Sequence, residues 1–118
     1  MKLDDLEIYK LSLELSEEFW QIFLALPRQF RFNIGMQMIR SVDSIGANIA
    51  EGYGRYHYRD SMKFYYNARG SLFETKHWLT LLFNRNFIHL DKFEEIQWKL
   101  NTLGVKLNNL IKSIKKKL

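Results

Sequence analysis

The chain contains no cysteine, one proline (Pro27) and six glycines in 118 residues. Without cysteine there is no disulfide scaffold, no thiolate nucleophile and no Cys-based zinc or iron–sulfur site. The scarcity of proline and glycine excludes a collagen-like or low-complexity chain. No run approaches the roughly 18–20 uncharged apolar residues of a membrane span. The opening Met1-Lys2-Leu3-Asp4-Asp5 is acidic and shows no secretory leader. These absences predict a cytoplasmic protein with no membrane partner. Apolar residues make up 47% and charged residues 26%, which fits one globular domain spanning residues 1–118.

Charge is unevenly placed. Residues 1–20 hold two lysines against six Asp/Glu, whereas residues 21–118 hold sixteen Lys/Arg against seven Asp/Glu. The last twenty residues carry Lys99, Lys106, Lys112, Lys115, Lys116 and Lys117 and no acid. Such a patch concentrates polyanions. It equally solubilises an exposed helix and complements the negative end of its dipole, and both readings stay open.

Apolar periodicity predicts four helices, over about residues 4–26, 33–53, 59–84 and 91–117. Asp4 or Asp5 is suited to cap the first and Pro27 to stop it. Its two stripes, Leu6-Tyr9-Leu13-Trp20-Phe23 and Ile8-Leu11-Leu15-Phe19-Ile22-Leu26, cover about 220° of the helical wheel, far beyond the roughly 100° that a surface helix buries. The second face therefore predicts an oligomer.

The second helix carries the stripe Ile34, Met38, Val42, Ile45 and Ile49. Gly35, Gly46, Ala47 and Ala50 are small enough for close approach, and Gly52 and Gly54 suit a left-handed end. The third has Asp60 or Ser61 as cap and the seam Ser61, Tyr65, Ala68, Leu72, Thr75, Leu79 and Leu82. Met62, Tyr66 and Phe73 add a second apolar patch. The fourth opens on the capping-box pair Asp91 and Glu94 and continues through Phe93, Ile96, Leu100, Leu103, Leu107, Leu110 and Ile114. Short connections between such helices predict an all-α, up-down-up-down four-helix bundle.

Catalytic chemistry finds little support. Glu74-Thr75-Lys76-His77 is a lone E-x-x-H, whereas a di-iron bundle needs two such pairs and two more glutamates. There is no G-x-S-x-G elbow and no P-loop. The expectation is no enzyme, no metal and no cofactor. The turn Gly52-Tyr53-Gly54-Arg55-Tyr56-His57-Tyr58-Arg59 differs, because it interleaves tyrosines with arginines. Stacking on unpaired bases with phosphate contacts needs that combination. The competing reading folds the tyrosines over the bundle end and pairs the arginines with Asp60 or Glu51.

The stretch Ile39-Arg40-Ser41-Val42-Asp43-Ser44-Ile45-Gly46-Ala47-Asn48-Ile49-Ala50-Glu51-Gly52-Tyr53-Gly54-Arg55 resembles the signature of the four-helix-bundle proteins of the 23S rRNA intervening-sequence family. Tyr65-Tyr66-Asn67-Ala68-Arg69-Gly70-Ser71-Leu72-Phe73-Glu74-Thr75 resembles that family's second block, and Tyr9-Lys10-Leu11-Ser12-Leu13 also fits. The resemblance implies a ring of five subunits and no catalytic residues. It covers nearly the whole chain short of the lysine-rich end.

The expectation for the motif is structural: Ser44, Asn48, Glu51 and Gly52 on helix two meeting Asn67, Ser71 and Glu74 on helix three in a polar layer, with Arg55 bridging to Glu51 or Glu74. The candidate RNA- or DNA-binding residues are Arg55, Tyr56, Arg59, Lys112, Lys115, Lys116 and Lys117. The partners expected are further copies of the chain and a nucleic acid. The alternative is a protein-binding adaptor with no nucleic-acid role.

Overall fold

The computed structural model describes residues 1–118 as an all-α chain with four long helices: α1 (Glu7–Ala25), α2 (Met36–Gly54), α3 (Tyr58–Asn84) and α4 (Leu90–Lys115). They pack side by side in a body of 46 × 24 × 21 Å. α1 lies against α2 and α4, and α3 lies against the same two. The core between them includes Leu15 and Phe19 of α1, Met38 and Ile45 of α2, Leu72 and Leu79 of α3, and Leu100 and Leu103 of α4. The stripes expected for α2 and α3 are buried throughout. On α4 the seam runs through Ile111 rather than Leu110, which is only partly buried.

Pro27 ends α1 as expected, but the helix starts later. Leu3–Asp5 form a separate 3-10 turn, and Leu6 is extended (φ −73°, ψ 123°). Asp5 is spent within that turn, where it accepts the Lys2 backbone N–H at 2.9 Å, so neither Asp4 nor Asp5 caps α1. After Pro27 the chain coils at once through Arg28–Phe30 and a π-helical Arg31–Gly35 into α2. Arg31 reaches back and donates to the α1 carbonyls of Leu24 (2.6 Å) and Leu26 (3.3 Å), satisfying a helix end that lacks its own partners.

The remaining caps also differ from expectation. α3 follows His57 and α4 follows His89, both extended, with no side-chain cap from Asp60, Ser61, Asp91 or Glu94. Gly52 and Gly54 stay helical, and the turn is made instead by extended Arg55 and His57. Left-handed backbone occurs at Asn86 (φ 64°). There the Phe87 N–H reaches the Leu82 carbonyl (2.9 Å) and the Asn86 N–H that of Phe83 (3.0 Å), the paired bonds of a Schellman end.

The small residues have separate tasks. A Cβ on Gly46 would come within 2.9 Å of Ser12 Oγ on α1, and one on Gly52 within 2.7 Å of the Tyr65 ring on α3. Gly35 passes over Phe23 in the same way, at 3.0 Å. Ala47 points to solvent and takes no part in helix approach.

Candidate nucleic-acid interface

The turn between α2 and α3 and the end of α4 are about sixty residues apart in sequence, and the fold brings them to one end of the molecule. Lys117 Nζ lies 4.8 Å from the centre of the Tyr58 ring and donates to its hydroxyl at 3.4 Å. Lys115 sits over Tyr66 at 5.9 Å. The Tyr53 hydroxyl donates to the Met1 carbonyl at 2.8 Å, pinning the N-terminus below the same turn. Tyr56 is 94% exposed, and Arg59, Lys112 and Lys116 are exposed as well.

Arg55 is held from two sides. Its guanidinium pairs with Glu51 one turn back at 3.1 Å and stacks over Phe64 at 4.5 Å. Lys63 approaches Phe64 at 5.8 Å. Arg55, Arg59, Asp60, Lys63 and Phe64 together line a surface hollow of about 240 Å³. Lys63 and Phe64 were not singled out from the sequence. The available signal was Arg59 and Lys63 four residues apart, which places both on one face of α3.

The lysine run divides in two. Lys99 is bound by Glu18 (3.0 Å), Glu14 (3.5 Å) and Glu95 (3.8 Å), and Lys106 by Glu7 (2.6 Å). Burial pushes the Lys99 ammonium down, but the hydrogen bonds and charges of Glu18 and Glu14 together outweigh it and hold the group above its ordinary pKa. Lys112, Lys115, Lys116 and Lys117 form no ion pair and remain available.

The expected polar layer does not assemble between α2 and α3. The Asn48 amide donates to the Ser44 carbonyl of its own helix at 2.8 Å, and Glu74 accepts the Trp78 indole N–H at 3.0 Å. Ser71 offers its carbonyl to Thr75, and the Arg55 bridge goes to Glu51 rather than Glu74. The row does not form because Ser44, Asn48, Glu51 and Glu74 are exposed or half-buried and find partners a turn away along their own helices, Ser44 and Asn48 on the backbone and the two glutamates on Arg55 and Trp78. The polar pair that does cross is buried and different: Ser41 Oγ and Thr75 Oγ1 lie 3.0 Å apart. Gly52 takes no part in a polar layer, and its place in the contact is the close passage of Tyr65.

Glu74 and His77 lie exposed on the outer side of α3, with His77 edge-on to Trp78. Nowhere do three or more His, Asp or Glu side chains come together as metal ligands. No helix is long and apolar enough to cross a membrane.

Among solved structures the chain is similar to a protein of unknown function from the S23 ribosomal protein family of Bacteroides thetaiotaomicron VPI-5482. The two share 28% sequence identity and a TM-score of 0.83, over 89% of this chain and 98% of that one. No curated protein matches. The family model described as 23S rRNA-intervening sequence protein matches residues 4–109, which takes in all of α1, α2 and α3 and most of α4. The chain belongs to the 23S rRNA-intervening sequence protein family.

Proposed function

We propose that this chain is a non-enzymatic cytoplasmic scaffold that self-assembles and binds RNA or DNA through the basic, tyrosine-rich end of each subunit. Its helices run up-down-up-down. The contacts Tyr53–Met1 and Tyr58–Lys117 at one end, and Phe30–Phe87 (4.9 Å) at the other, support that alternation. Five subunits per ring follow from the family resemblance, and the outward face of α1 supplies the self-contact. There Leu13, Trp20 and Leu24 stay exposed although the core stripe of the same helix is full.

The observation that carries the nucleic-acid reading is the meeting of the Arg55–Arg59 turn with Lys115–Lys117. It joins exposed aromatic faces to unpaired cations on one surface. A ring repeats that surface, so weak single contacts add.

Fluorescence anisotropy with a labelled structured RNA and a matched DNA, across a salt series around 150 mM, tests this. Binding should weaken steeply with salt, by a slope near 0.7–0.9 per phosphate contacted. Replacing Lys115, Lys116 and Lys117 by alanine should flatten the slope. Tyr56→Ala should lower affinity without changing it. No binding by folded, assembled protein overturns the nucleic-acid role and leaves a protein-binding adaptor.

A further inference from the structure

A groove runs between the C-terminal half of α1 and the connection from α3 to α4, at the end of the molecule away from the basic turn. One wall is a single face of α1, made by Glu18, Gln21, Ile22, Ala25 and Leu26. The other wall is Phe87, Ile88 and His89 of the connection, with Lys92 in the first turn of α4. The helical rise from Glu18 to Leu26 makes the groove about 12 Å long. Its volume is about 340 Å³, in the range of small-molecule sites. At roughly 30 Å³ for a water-sized group, it has room for about eleven heavy atoms.

The lining is mostly apolar. Ile22 and Leu26 are buried, Phe87 and Ile88 are half-buried, and Ala25 is exposed. Phe87 is fixed by the edge-on Phe30 ring at 4.9 Å, so this wall stands without a ligand to order it. Alanine at position 25 leaves the groove open, because its side chain ends at Cβ.

The charges on the lining are already engaged with one another. Lys92 pairs with Glu18 (3.6 Å) and Glu95 (3.5 Å), and Lys99 pairs with the same two acids (3.0 and 3.8 Å). Two acids and two bases thus form a closed circuit. Glu14 joins it at Lys99 (3.5 Å) from off the lining. Asp91, which has no ion-pair partner, is also off the lining, as is Arg31, whose guanidinium is bound by the Leu24 and Leu26 carbonyls. An entering carboxylate or ammonium would have to draw a charge away from this circuit, at a desolvation cost. An uncharged molecule leaves it intact.

Two polar side chains of the lining stay free. The Gln21 amide and the His89 imidazole make no hydrogen bond within the chain. An amide and a neutral imidazole can each donate and accept, as a hydroxyl partner requires.

We propose that this groove binds a small uncharged amphiphile, a straight alkyl chain of about eight carbons that ends in a hydroxyl or carbonyl. The chain lies along α1 over Ile22, Ala25 and Leu26, against Phe87 and Ile88, and Gln21 or His89 takes the polar head. The length of the groove favours a straight body, its volume sets the size, and its balanced charges select a neutral head.

Isothermal titration calorimetry of the full chain with 1-hexanol, 1-heptanol and 1-octanol tests this. Each added CH₂ should tighten binding about fourfold, as its transfer out of water requires. Octanoate and octylammonium should each bind at least tenfold more weakly than 1-octanol. Ala25→Trp fills the groove from an exposed position. It should weaken 1-octanol at least tenfold while helical circular dichroism is retained. Binding that Ala25→Trp leaves intact puts the alcohol elsewhere and overturns the site. Either ion binding as tightly as 1-octanol overturns the neutral class. If 1-octanol gives neither heat nor a raised melting temperature, the proposal fails as a whole.

Discussion

The α2–α3 and α1–α4 contacts hold the same molecule together by different means. Between α2 and α3 the backbone comes close: Gly52 passes beneath Tyr65, and Ser41 and Thr75 form a buried hydroxyl pair among Val42, Ile45, Ala68 and Leu72. No ion pair joins those two helices. Every interhelical ion pair of the chain lies between α1 and α4: Glu7–Lys106, Glu14–Lys99, Glu18–Lys99 and Glu18–Lys92. One seam depends on steep short-range packing, which tolerates no change in volume. The other is edged by charges whose attraction is long-ranged but screened by water and salt. Equal-sized substitutions should therefore have very unequal costs in the two places.

Leu72→Ala should show the largest effect. Leu72 is 1% exposed, and its methyls also fill the space beside Gly104 on α4. Loss of the side chain should destabilise by about 2–5 kcal/mol, the transfer free energy plus the cavity left behind. Urea unfolding followed by circular dichroism measures it. A midpoint within error of wild type would mean that the α2–α3 packing is loose and the contrast with α1–α4 empty.

Glycine substitutions should sharpen the packing side of the comparison, because the same change ought to differ in sign between the tight α2–α3 contact and the roomier α3–α4 one. At Gly52 the new methyl would stand 2.7 Å from a Tyr65 ring carbon. Overpacking of about 1–3 kcal/mol then exceeds the roughly 1 kcal/mol that alanine adds to a helix interior, so Gly52→Ala should lower the melting temperature. At Gly104 the nearest atoms are Leu72 methyls at 3.8 and 3.9 Å, an ordinary contact. Gly104→Ala should raise stability by about 0.5–1 kcal/mol. Both are read in one set of thermal melts, and a shared sign would contradict the packing argument.

The contrast also explains what could be read from the sequence. The core stripes of α2 and α3 were legible residue by residue, because helical periodicity reports burial directly and Met38, Ile45, Leu72 and Leu79 lie where the period puts them. Gly52 was legible as special but for the wrong reason: its neighbour Tyr65 is thirteen residues away, and only the packed helices bring it there. The ion pairs went unassigned because they join residues more than seventy positions apart. Their signal was present in the acidic first helix and the basic last one. The caps failed because Asp5 and Asp91 have competing local uses or none, while the one left-handed turn fell on Asn86, a residue that tolerates the conformation less often than glycine. The basic end was legible as two separate motifs. Their union needed α4 to end beside the start of α3, which the contact of Lys117 with Tyr58 records.

Lys99→Met should cost much less than either packing change. The substitution keeps most of the aliphatic stem against α1 and removes the charge that Glu14, Glu18 and Glu95 share. Lys99 and Glu18 are partly shielded but still in contact with water, so the loss should be about 1 kcal/mol or less. It should shrink further in 0.5 M salt, whereas the Leu72→Ala deficit should not. Denaturant melts of both variants at two salt concentrations separate the two seams.

The smallest effect should appear at the outer edge of the α1–α4 contact, as a dependence on acid. Glu7 is fully exposed, yet its hydrogen bond to Lys106 at 2.6 Å, reinforced by that ammonium's charge, holds its carboxyl below the ordinary 4.5. A folded pKa below the unfolded one gives stability that is present above pH 4.5 and is lost as pH falls through the lower folded value. Tyr65 works in the opposite direction. Burial pushes its phenol above the ordinary 10.0, with a further push from Tyr53, so its contribution is present below pH 10 and is lost as pH rises through the folded value. Acid should thus loosen the charged seam alone, whereas alkali reaches both, through the Tyr65 phenol in the packed seam and through the Lys99 ammonium in the charged one. Glu7→Gln should flatten only the acid limb of a melting-temperature profile, and Tyr65→Phe only the alkaline limb. If Glu7→Gln shifted both limbs equally, the two seams would be acting as one unit and the distinction between them would fail.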